Sequence, residues 1–433
     1  MIVVPQGHQL IKYLLLGIFI IQTTFMVIKQ DSLNIHKNIF ILFLFYAIIG
    51  LSFGSFGYIQ GNPGAFAIMK LTVVYLLFSL FFVININNIK IFKKINSLII
   101  FSSIFLSLYI FITILNANGV WPDWLYYNIS GEKASQGVAE NSLRQRGRID
   151  IGFSSLPSFL FLQPYLFTLI IVEKRRKKSI LWIAFIVSTI IMLFGGSRIL
   201  ILSSLLFPIL IIIYLKFFSD NNNLSSVNFK KLFFIFVSIL VIATLILLPF
   251  GLRVDAYIYD MVRGFMPYEL TNIIDGGKTQ SAFKDLEIIP NRRITQLGVI
   301  LTNLWEKPFF GYGSGSVAFF NNGELYLRNI AEPWKYELTY LQFLHHWGIV
   351  GFGIYLLGII LTFKKLLNIF NLNSLYSPYA LAILFGSSGF LIGSSINPYI
   401  TRFDSLFVIF LPIAMVNIWS ISKDNTEFSS LSH

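Results

Sequence analysis

Two neighbouring arginines, Arg292 and Arg293, open a stretch with helical spacing, and a lone carboxylate, Glu337, follows just ahead of a long apolar run. Guanidinium groups beside the free amides of a helix N-terminus suit phosphate oxygens, because forked donors and aligned N–H groups both meet an anion. That helix end disfavours cations, so a docked anion accounts for the pair; anchoring a surface helix to lipid headgroups accounts for it equally. Glu337 also has two readings. A carboxylate in a first helical turn is stabilised by the macrodipole, while apolar surroundings raise a carboxyl pKa toward the range of a general base. Leu341 and His345 follow at spacings of four, which predicts that His345 shares a helix face with Glu337. His345 and His346 fall inside the apolar run, where ionisable groups are costly and often functional.

Further cations stand at the borders of apolar runs: Arg198 in GGSR, Arg148 at the end of LRQRGRID, and Arg402 after Asn397-Pro398-Tyr399. Each suits either snorkelling to lipid phosphate or gripping a substrate phosphate. Asn397 either offers its amide to a ligand or caps a turn. Gly311-Tyr312-Gly313-Ser314-Gly315-Ser316 lacks the Gly-Lys-Ser/Thr of a nucleotide loop, so a tight turn with close backbone approach is expected there. With five histidines, no cysteine and no HExxH, neither a metal centre nor a disulfide is expected. No cofactor is expected either.

The scaffold for these groups is apolar: 55% of the 433 residues are hydrophobic, 17% aromatic and only 12% charged. One soluble core could not bury so much apolar surface, so a polytopic membrane protein is expected. Runs of spanning length lie at about 10–28, 39–57, 64–86, 95–115, 153–172, 179–195, 199–217, 232–250, 339–361, 378–396 and 404–421. They are continuously apolar and do not alternate, which predicts an all-α bundle of about eleven transmembrane helices and not a barrel. The pair 179–195 and 199–217, divided only by Gly196-Ser197-Arg198, is the most open to being one element. The first run has no obvious cleavage site and reads as a retained span.

Lysine and arginine set the orientation. Lys29, Lys37, Lys90, Lys93, Lys94, the run 174–178, Lys216, Lys230, Lys231, Lys364, Lys365 and Lys423 mark one side as cytoplasmic. The C-terminus then lies inside and the long loops 116–152 and 251–338 outside, with the N-terminus outside by parity. A net charge of +13 needs no nucleic acid, since topology signals and anionic lipid account for it. The chain divides into an N-terminal bundle (1–250), a large outer loop (251–338) and a C-terminal membrane part (339–433). Within the loop, Val254–Ile274 has helical spacing. Asn291–Trp305 predicts an amphipathic helix lying on the outer membrane surface, with Ile294, Leu297, Leu301 and Leu304 as its stripe, Asn291 its cap and Pro308 its end.

The order GGSR, NRRITQ, PFFGYGSG, YELTYLQFLHHWGIVG and SSINPY resembles the O-antigen polymerase/ligase superfamily over roughly residues 140–420. Where ligases of that superfamily carry a histidine-asparagine pair, this chain has Glu337-Leu338, which is more similar to the polymerase branch. The resemblance implies a GT-C-like, multi-pass protein of the bacterial inner membrane whose active site faces the periplasm. It implies a metal-independent, inverting glycosyltransferase that moves a growing glycan from undecaprenyl diphosphate onto a new lipid-linked repeat unit. Donor and acceptor are then both undecaprenyl-diphosphate-linked oligosaccharides, membrane lipids surround the site, and a chain-length regulator is a further partner. On this pattern Arg198 and Arg293 bind the donor diphosphate, with Arg292 and Arg148 beside them. Glu337 takes the place of the acceptor-activating base, and His345, Asn397 and Arg402 stand behind. An O-antigen ligase, or a flippase or exporter of polyprenyl-linked glycans, are the alternatives; mid-span charges, which a translocation path would need, are few.

Overall fold

The structure is a computed structural model that describes residues 9–29, 34–117, 122, 156–173, 178–194, 198–217, 229–247, 292–320, 322–326, 332–372, 374–402 and 405–431. The helices are α1 (Gln9–Lys29), α2 (Lys37–Ile59), α3 (Ala65–Asn85, with a π-helical segment Lys70–Val74), α4 (Ile89–Ala117), α5 (Phe159–Val172), α6 (Ser179–Phe194), α7 (Arg198–Phe217), α8 (Phe229–Leu247), α9 (Arg292–Glu306), α10 (Thr339–Asn371), α11 (Ser377–Ser394) and α12 (Phe407–Leu431). Each apolar run of the sequence carries a helix over most of its described residues, and 179–195 and 199–217 form two helices. Among the described residues, seven helices are long and apolar enough to cross a membrane: Lys37–Ile59, Ala65–Asn85, Ile89–Ile112, Ile199–Phe217, Thr339–Asn371, Ser377–Ser394 and Phe407–Asp424. Among the described residues there is no strand beyond an isolated bridge between Phe319 and Leu325. The helical spacing at Val254–Ile274 lies outside the described residues.

α5 forms the centre. It is apolar on every side, and Leu156 to Ile171 are all buried, as an element surrounded by others must be. α11 packs against it through Gly386, Gly389 and Gly393, where a Cβ would meet Phe161 or Leu160. Small residues let two helix backbones approach where lipid supplies no hydrophobic drive for association. Polar ties cross the same core: Gln163 donates to the Ser204 carbonyl of α7 at 3.0 Å, and Tyr165 donates to Asn96 of α4 at 2.5 Å. The outer helices reverse the pattern, since Ile18, Phe25, Ile41, Leu44, Leu98 and Phe101 are exposed. That surface suits hydrocarbon and not water.

The run at 339–361 is longer than expected and broken. Gly348, at φ 62° and ψ −170°, divides α10 into a short segment, 339–347, and a longer one, 349–371. The longer part covers about 34 Å at ~1.5 Å per residue, enough to cross hydrocarbon by itself. His345 and His346 therefore precede the break, in the short segment, instead of lying within a continuous span.

Candidate functional site

The site is built where α9 meets the entry to α10. α9 turns Gln296, Val299, Ile300 and Asn303 inward and leaves Leu297, Leu301 and Trp305 exposed as an apolar ridge. The buried amides have fixed partners. Gln296 Oε1 accepts the Leu338 N–H at 2.9 Å. Asn303 pairs with the Phe319 backbone in both directions, at 2.8 and 2.9 Å. Tyr336 is buried, its hydroxyl accepts the Ala318 N–H at 2.6 Å, and its own N–H donates to Gln342 Oε1 at 3.3 Å. The residues on either side of Glu337 are thus tethered, one to α9 and one to the segment after it.

That tethering brings two sequence-predicted residues together. Arg293 Nε donates to Glu337 Oε2 at 2.7 Å, with Arg293 42% and Glu337 21% exposed. Arg293 and Gln296 lie three residues apart on α9, so one helical face grips both Glu337 and the next residue. Glu337 does not belong to the first helical turn as expected. α10 starts at Thr339 with Leu338 as its cap residue, and the carboxylate stands ahead of both. The face expected to be shared with His345 is therefore absent, because Glu337 is not on the helix.

His345 belongs to the packing of the glycine-rich turn instead. Its Nδ1 lies 3.1 Å from Ser316 Oγ, and its ring stacks on Tyr312 with centroids 5.0 Å apart. His346 Nε2 donates to the Ser316 carbonyl at 3.2 Å. The turn after α9 repairs the break in α10. Tyr312 and Gly313 donate to the carbonyls of His345 and His346, both at 2.9 Å, while Ile349 and Val350 donate to the carbonyls of Pro308 and Phe309, at 2.8 and 3.1 Å. Backbone groups freed by a broken helix must find partners. Gly311 and Gly348 both take positive φ, and a Cβ on either would strike the opposing backbone. On its other side the turn reaches the α2–α3 connection: Asn62 donates to the Tyr312 carbonyl at 2.8 Å, and Gly57 and Gly64 lie against Ser314 and Gly315. Close backbone approach, expected from the sequence, is the role of this motif.

Burial pushes the Tyr336 phenol well above its ordinary value, and burial followed by the hydrogen bond to Glu306 does the same to Tyr312. Both hydroxyls stay protonated and act as fixed structural groups. Tyr312 Oη reaches Glu306 at 2.8 Å while the Lys307 ammonium sits 4.6 Å from the ring centre.

The remaining expected residues are placed less fully. Arg198 opens α7 and Arg292 opens α9, but their side chains, and the whole of Arg148, lie outside the described residues. Asn397 and Arg402 occupy the connection between α11 and α12, where the Asn397 carbonyl accepts the Tyr399 N–H at 2.7 Å and the Arg402 guanidinium stands 5.6 Å from the Tyr399 ring centre. Tyr340, at the start of α10, donates to the Leu391 carbonyl at 2.6 Å and ties that helix to the end of α11 nearest this connection. Sequence reasoning passed over Gln296, Asn303 and Tyr336 as structural keys. A signal existed for the amides, since polar residues on the inner face of an amphipathic helix must have partners.

Chemically, the arrangement offers a proton acceptor and a cation at one partly open place, on a rigid support, at the end of an apolar bundle. No protein-family model matches the chain, no curated protein matches it, and no solved structure matches its fold.

Proposed function

We propose that this chain is a membrane-embedded glycosyltransferase that extends a lipid-linked glycan, transferring it from a polyprenyl diphosphate to a hydroxyl of a second lipid-linked repeat. One observation carries the reading: Arg293 and Glu337, separated in sequence by the whole glycine-rich turn, meet at 2.7 Å in a partly open site beside the entry to α10. An acceptor hydroxyl attacks the anomeric carbon, and the bond from that carbon to the phosphate oxygen breaks. Glu337 takes the hydroxyl proton, and the diphosphate departs on its carrier. The leaving group is already activated, so no nucleotide enters the step.

A guanidinium aimed at the leaving diphosphate stabilises charge that grows in the transition state, usually the largest catalytic contribution. Incoming phosphate competes with Glu337 for Arg293, so donor binding frees the carboxylate as it fills the site. Arg198 and Arg292 supply further positive charge from the starts of α7 and α9, with Arg148 in the preceding outer loop. The bundle crosses the inner membrane about eleven times with this end in the periplasm.

The test is elongation by purified protein given a lipid-linked repeat and no nucleotide. Longer glycans are expected from wild type, and none from Arg293→Ala or Glu337→Ala protein that still inserts and folds. Wild-type lengths from both variants would remove the mechanism, and translocation without elongation would replace it with a flippase.

A further inference from the structure

The exposed ridge of α9 does not stop with the helix. Leu297, Leu301 and Trp305 follow at spacings of four, and Phe309 and Phe310, also exposed, extend the row past the helix end. The sequence stripe ended on Leu304, but that side chain is half-buried and Trp305, 89% exposed, carries the row onward. Contiguous apolar surface of this kind marks a place of contact.

What it contacts follows from where it is fastened. The Pro308 and Phe309 carbonyls accept the N–H groups of Ile349 and Val350, which open the long segment of α10. Phe309 and Phe310 thus stand at the mouth of a segment long enough to cross hydrocarbon, and Ile349 and Val350 beside them are themselves exposed. The glycine-rich turn fastens the same place to two more helix ends. Ser314 donates to the Phe53 carbonyl at 3.2 Å, and Gly57 and Gly64 lie against Ser314 and Gly315, next to the end of α2 and the start of α3. Those ends carry rings too: Tyr58 and Phe66 are exposed and meet edge to face, with centroids 5.0 Å apart. Three helices of membrane-crossing length therefore have an end at this turn, and exposed aromatic side chains gather there.

Aromatic side chains with one polar edge favour the border between hydrocarbon and water. Lys307, exposed and two residues after Trp305, has a stem long enough to reach lipid phosphate. The opposite side of α9 is closed, because Asn303 pairs with the Phe319 backbone and the segment 319–325 covers that face.

We propose that this collar seats in the interface of the lipid bilayer, with Trp305, Phe309 and Phe310 among the upper acyl carbons and Tyr58 and Phe66 at the same level. The bilayer is the partner, and the seat does not depend on the reaction proposed above. Its consequence for the site is one of height. Arg293 and Trp305 share one helix, so Arg293 rises no more than about 18 Å from the level at which Trp305 is held, at ~1.5 Å per residue.

The full chain, which has no cysteine, is given one thiol at a time by Leu301→Cys, Trp305→Cys, Phe310→Cys or, as a control on the covered side, Glu324→Cys. Each protein is spin-labelled in phosphatidylcholine nanodiscs. Collision with oxygen, which concentrates in hydrocarbon, is compared with collision with a water-soluble nickel chelate. The ratio of the two is expected to be several-fold higher at the three ridge positions than at position 324. Equal ratios at all four would show a ridge facing water and overturn the proposal. So would ridge labels shielded from both reagents and broadened by one another, the sign of a second copy seated there. Where the thiol variants fail to insert, Trp305→Phe, which keeps a ring in place, decides. The part of the intrinsic fluorescence that brominated phosphatidylcholine quenches should fall relative to wild type, and an unchanged quenched part overturns the proposal as well.

Discussion

At the scale of single residues, the Arg293–Glu337 contact has to be separated from a plain structural tie. Exchanging the charges does so. Protein carrying Arg293→Glu together with Glu337→Arg keeps opposite charges in contact and should melt near the wild-type temperature. Its elongation should nevertheless fall at least as far as loss of a general base demands, ~10²–10⁴-fold, because the cation now stands where the base was. Recovery of activity in the exchanged protein would show that only the pairing matters. Arg293→Lys tests geometry, since a point charge lacks the planar fork that matches phosphate; little rescue of elongation is expected. Tyr336 has a structural assignment. Tyr336→Phe leaves the buried Ala318 N–H without its acceptor, at a cost of about 1–3 kcal/mol, visible as a lowered melting point. The buried phenol also sets an alkaline limit. Its folded pKa lies above the unfolded value of ~10, so its contribution is complete below pH ~10 and is lost as pH rises through the folded pKa. Wild type should lose stability there more steeply than Tyr336→Phe.

At the scale of elements, the glycine-rich turn and the broken helix act as one unit. Gly323 and Gly315 separate two costs, for both have positive φ, yet a Cβ at Gly323 meets nothing while one at Gly315 meets the backbone of Gly64. Gly323→Ala should cost about 1–2 kcal/mol, the strain of a left-handed residue alone. Gly315→Ala has the same strain and must also push the turn off the α2–α3 connection. Proteolysis of membrane-inserted protein should show the 292–326 region cut readily in Gly315→Ala and little changed in Gly323→Ala; equal sensitivity would show that strain, and not packing, decides. Much of this region was legible in the sequence. The α9 bounds fell within a residue of expectation, and the turn was assigned to close approach because its glycines lack the lysine of a nucleotide loop. The break at Gly348 was not legible, since glycine inside an apolar run is common in membrane helices, and only the partners offered by residues 308–313 make a positive φ tolerable there.

At the scale of the whole molecule, the absence of cysteine makes orientation directly testable. A single thiol at Lys307, beside the site, should react with a membrane-impermeant maleimide in intact spheroplasts. A thiol at Lys364, far along α10, should react only after permeabilisation. The reverse pattern would invert the topology and remove the periplasmic reading. The sequence by itself determined that the chain is helical and apolar over these runs, because twenty or so unbroken apolar residues leave the backbone no other way to satisfy its hydrogen bonds in hydrocarbon. It also brought forward the Arg292-Arg293 pair at a helix start and Glu337 ahead of an apolar run, and the family resemblance narrowed these to Arg293 and Glu337. Tertiary structure alone decided that these two meet, that Glu337 stands ahead of its helix and not on it, and that His345 faces Ser316 and Tyr312. The physical reason is that helical periodicity fixes which residues share a face only within one helix. Contacts between elements depend on where a chain breaks and what fills the break, and in this molecule that is settled by a glycine and the turn that closes over it.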